Sequence, residues 1–67
     1  MLEALKAKYH AEAMAARANI QVYLTHPVGI GEHSDLVSAV DSEVVKLAAA
    51  NEKLVQVNLL LSGKGEK

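Results

Sequence analysis

At 67 residues with a formal net charge of −1, the chain holds one domain at most, and it presents no strong field to attract nucleic acid or an anionic membrane. It has no cysteine, which excludes disulfides and every thiolate site. A domain this small buries only roughly 60% of its unfolded surface, so oligomerisation is the expected source of the missing stability.

The opening Met1-Leu-Glu-Ala-Leu-Lys6 lacks a basic segment followed by a long apolar run. Nowhere do about 18 uncharged apolar residues occur together, so a soluble cytoplasmic protein with no membrane association is expected. From Leu2 to Thr25 the apolar positions Leu2, Leu5, Tyr9, Ala13, Ala16, Ile20 and Tyr23 recur at spacings of three and four. That is one face of a helix over about 2–25, and its alanine content favours the same state. Pro27 disfavours helical backbone at His26 and should end it there. On this helix His10 has Lys6, Met14 and Arg17 as same-face neighbours and is expected to be solvated.

Residues 26–34 read as a loop punctuated by Pro27, Gly29 and Gly31. Val28 and Ile30 are expected to fold back against Leu24 and Leu36. His26, Glu32, His33 and Asp35 could ligate a divalent ion, since imidazole and carboxylate suit such metals, yet their spacing matches no established site. The plainer reading is a turn whose Glu32 and Asp35 complement the positive end of the next helix. A phosphate site at Gly29 and Gly31 is opposed by those same carboxylates and by the missing P-loop lysine and strand.

The second helix should run from about Asp35, capped by Ser34 or Asp35, to Ser62, with Gly63 as its C-cap and 63–67 as a tail. Along it Val37, Val44, Asn51 and Asn58 alternate with Val40, Leu47, Leu54 and Leu61. β-Branched residues and Asn at one position of a seven-residue repeat, with Leu prevailing at the other, mark a coiled-coil seam. An Asn in the seam costs stability and penalises misalignment. Leu36, Ala48, Ala50, Val55 and Val57 flank that seam, which makes the helix apolar over more than one face.

These elements predict an all-α fold, an antiparallel two-helix hairpin over 1–62 that dimerises into a four-helix bundle. If the turn centres near Ile30, Arg17 stands beside Glu43, Lys8 beside Glu52, and Tyr9 near Asn51. The residues expected to form the oligomer interface are Val37, Val40, Val44, Leu47, Asn51, Leu54, Asn58 and Leu61.

No nucleophile or acid–base pair stands beside a concave pocket, so a catalytic role and a cofactor are not expected. The basic residues are scattered and the interhelical loop is too long for a tight helix-turn-helix, which argues against DNA.

The stretch from Asn19 to Asp35, containing His26-Pro-Val-Gly-Ile-Gly-Glu-His-Ser-Asp35, resembles the turn of a group of small helical proteins of marine T4-like phages. The group's turn has Asn and Pro where this chain has His26 and Ser34. The resemblance implies two helices joined by such a turn and a phage or environmental origin, and it carries no activity. The expected function is therefore assembly through protein–protein contacts. The alternatives are an adaptor or inhibitor that binds a host helix through the seam, and a small metal-binding protein that uses the loop.

Overall fold

A computed structural model describes residues 1–25 and 35–63, together with the backbone course at 33–34. Two helices make up the fold: α1, Leu2–Thr25, and α2, His33–Ser62. Helix α2 begins two residues before the expected start at Asp35, which falls within its first turn and favours the positive helix end. Ser34 and Asp35 therefore lie inside α2 rather than at its expected cap, and the proposed packing of Val28 and Ile30 and the tail at 64–67 lie outside the described residues.

Helix α1 packs through the face its sequence predicts. Leu2, Leu5, Tyr9, Ala13, Ala16, Ile20 and Tyr23 are buried or half-buried, and every other residue of α1 is exposed. The arrangement is antiparallel: Asn19 of α1 donates from Nδ2 to Glu43 Oε1 at 3.2 Å, while Lys53 Nζ stands 5.2 Å from the centroid of the Tyr9 ring. Both contacts belong to one register, and it is displaced from the expected one. Asn19, rather than Arg17, partners Glu43. Tyr9 receives Lys53 over its face, so the expected Tyr9–Asn51 pair does not form. Among the described residues the ion pair is Lys46–Glu43, within α2, rather than a pair of Lys8 with Glu52.

The buried line of α2 is Leu36, Val40, Glu43, Leu47, Ala50, Leu54 and Val57, with Ala39 beside it. It shares Val40, Leu47 and Leu54 with the expected seam. The alternate positions, however, are Leu36, Glu43, Ala50 and Val57, one residue round the helix from Val37, Val44, Asn51 and Asn58. The reason is steric. Ala13 and Ala16 bring α1 close, and small Ala50 admits that approach. These three alanines and Val57 are at most 4% exposed, and no large side chain is fully buried.

Helix α2 ends as its sequence requires. Gly63 adopts φ +80°, the left-handed conformation that glycine tolerates best, and its N–H donates to the Leu60 carbonyl at 3.2 Å.

The hairpin is a rod of 49 × 18 × 15 Å with 4958 Å² of accessible surface. A compact monomer of 7.1 kDa exposes roughly 4,100 Å². The difference is large for so small a chain.

Candidate interaction surface

The residues that α1 does not cover define the surface. Val37 and Val44 are 67% and 45% exposed, and Asn51 and Asn58 are exposed one and two turns of the repeat further on. Of the expected interface, Val40, Leu47 and Leu54 are therefore already half-spent on α1, whereas Leu61 at 39% is largely open. Helix α2 thus carries two seams in adjacent phases that share one line of residues. One seam holds the hairpin together, and the other is free.

At the loop end, the free seam opens into a groove of about 400 Å³ lined by Leu24, Leu36, Val37, Val40, Asp41 and Val44. Leu24 is 63% exposed on its α1 wall. Farther along, a second groove of about 360 Å³ sits between Leu54 and the α1 residues Glu3, Lys6, Ala7 and His10. Glu3, His10, Arg17 and Leu24 follow one another at seven-residue spacing, so both grooves lie on the same side of the rod.

The opposite side is built differently. Its groove of about 370 Å³ is floored by Ala15, Ala16, Ala49 and Ala50 and edged by Glu43, Lys46 and Lys53. Glu43 is only 7% exposed and is satisfied on both oxygens, by Asn19 at 3.2 Å and by Lys46 Nζ at 3.2 Å. The Asn19 hydrogen bond, followed by the Lys46 contact, holds the Glu43 carboxyl below its usual range against the opposing effect of burial. No buried side-chain nitrogen or oxygen among the described residues lacks a partner.

Sequence reasoning missed Asn19, gave Glu43 the wrong partner in Arg17, and placed Leu24 only against the loop. A signal for the first two existed, because Leu36, Glu43, Ala50 and Val57 also repeat every seven residues. It was masked by the stronger pattern of Val and Asn beside it.

Of the candidate metal ligands, His26 and Glu32 and the side chain of His33 lie outside the described residues, and Asp35 is exposed. Among the described residues, no three His, Asp or Glu side chains gather as a metal site. None of their helices is long and apolar enough to cross a membrane. No protein-family model matches the chain, and no curated protein or solved structure matches it.

Proposed function

We propose that this protein is a non-enzymatic assembly module whose hairpins pair into a four-helix bundle through the free seam of α2. The observation that supports this reading is the open apolar groove around Val37 and Val44, continuous with a half-used line of Val40, Leu47 and Leu54. Apolar burial at about 25 cal/mol per Å² is the main reserve available to a chain whose own core is this small. Asn51 and Asn58 at the polar end of the seam then limit which alignments are acceptable.

A second reading rests on the same groove. An adaptor or inhibitor would present Val37 and Val44 to a helix of another protein, a mode in which apolar anchors at helical spacing fill a groove. The phage-type turn supports a setting in a host cytoplasm for either reading.

The two separate on a double substitution, Val37→Lys with Val44→Lys. Both side chains are exposed in the single hairpin, so the substitutions leave the α1–α2 contacts in place. In the assembly reading, the purified protein dissociates to monomers at concentrations where the parent is dimeric. A parent that is already monomeric at every concentration would rule out self-assembly and favour the adaptor.

A further inference from the structure

We infer that two copies pair with their loop ends together, α1 of each lying across the free seam of α2 in the other, so that Arg17 meets Asp41 of the second copy. This rests on the self-assembly reading above and adds the orientation and the pairing that would select it.

Two heptad lines share one side of the rod: Glu3, His10, Arg17 and Leu24 on α1, and Val37, Val44, Asn51 and Asn58 on α2. In the register set by Asn19–Glu43 and Tyr9–Lys53, Leu24 stands level with Val37 and Arg17 with Val44, while His10 stands level with Asn51. Closing this side with a second copy leaves two twofold arrangements. An axis along the rod keeps every level and lays α1 over α2 of the other copy. An axis across the rod reverses the copy and lays α1 over α1.

Charge decides between them. The α1 line is basic through Lys6 and Arg17, with Glu3 only at its end. The α2 line is flanked by Asp41, in the wall of the apolar groove, and no Lys or Arg among the described residues lines that wall. Lys46 and Lys53 belong to the opposite side, where Lys46 is paired to Glu43. Laying α1 over α2 therefore puts Arg17 within one helical turn of Asp41 in the other copy, twice per dimer. Laying α1 over α1 stacks two basic lines, a like-charge juxtaposition that opposes pairing.

Shape agrees with charge. The along-rod arrangement gathers Leu24 and Val37 of both copies at one end and closes both apolar grooves with each other.

The test is the sign of one substitution. Arg17→Glu places a like charge near Asp41, and with two such pairs per dimer the dissociation constant should rise about tenfold. Arg17→Glu combined with Asp41→Arg should restore it. A dissociation constant that falls in Arg17→Glu, or that does not change, overturns the arrangement while leaving dimerisation intact. A parent that stays monomeric overturns both.

Distance provides an independent reading. The chain has no cysteine, so Ala4→Cys and Val22→Cys each accept a single dye at an exposed site near opposite ends of α1. With dyes chosen for a short transfer distance, energy transfer should be more efficient between two copies of the same variant than between one of each, whose sites are offset by about 27 Å along the rod. The reverse pattern would overturn the loop-end-together arrangement.

Discussion

Glu43 sits on the buried line of α2, where a packed helix face normally carries an apolar side chain, and its partners determine what that position does. A carboxylate taken out of water is tolerated when hydrogen bonds and a cation replace its hydration, and removing a partner exposes the desolvation cost. Asn19 reaches Glu43 across the hairpin, whereas Lys46 reaches it from within α2 and has a side chain that is 63% exposed. Asn19→Ala should therefore lower the melting temperature more than Lys46→Ala, and thermal melts at neutral pH compare them directly.

The sign of the pH effect follows from the lowered pKa. A carboxyl held below its ordinary value of 4.5 in the folded chain stabilises the fold fully above that value, and this contribution is lost as pH falls through the folded pKa. Melts at pH 7 and pH 3 should show a drop in stability on acidification that is smaller in Glu43→Gln. An equal drop in both proteins would remove Glu43 from the account.

At the level of single elements, the two helices differ in how openly their sequences declare their roles. Helix α1 has one apolar line in a background of alanine and charge, and that line is the buried face from Leu2 to Tyr23 without exception. Helix α2 has two heptad lines one residue apart, both compatible with Val40, Leu47 and Leu54. Its sequence alone favours the line with Asn51 and Asn58, because that is the familiar composition of a paired seam. The choice depends on α1: the alanine pair Ala13 and Ala16 fits against the small Ala50, a tertiary preference that the periodicity of α2 does not contain. The displaced register has the same origin, since Asn19–Glu43 is a polar pair that charge matching between opposite signs overlooks.

Two substitutions probe these elements. Ala50→Leu enlarges a side chain that is 1% exposed at the closest part of the hairpin, and overpacking there should cost about 1–3 kcal/mol in chemical denaturation. An unchanged midpoint would mean that the helices do not approach closely at Ala50. Gly63→Ala meets no atom within 4 Å, so its cost is the positive φ alone, about 1–2 kcal/mol and confined to the end of α2. Hydrogen exchange should show it as faster opening of the last turn, with the centre of α2 unaffected.

As a whole molecule, the rod has more surface than its mass warrants, and an exposed apolar cluster stands on one side of its loop end. Leu24, Val37 and Val44 lie exposed together at the loop end, while the other side is floored with alanine and edged by the Glu43, Lys46 and Lys53 charges. A monomer would leave that apolar side in water. Pairing would remove it, and stability would then depend on protein concentration, because only the folded chain associates. Leu47 and Leu54 are half-buried in one hairpin and would become core residues of the pair. Replacing either by alanine should cost about 2–5 kcal/mol per chain at concentrations where the pair forms. A melt unaltered by both replacements would contradict their placement.

The central claim is that a second copy covers the free seam of α2. Its most direct test is the molar mass of the purified chain by light scattering over a wide concentration range. The account predicts a mass approaching twice 7.1 kDa as concentration rises, with a single dimer–monomer equilibrium at the low end. A mass of 7.1 kDa throughout would contradict it.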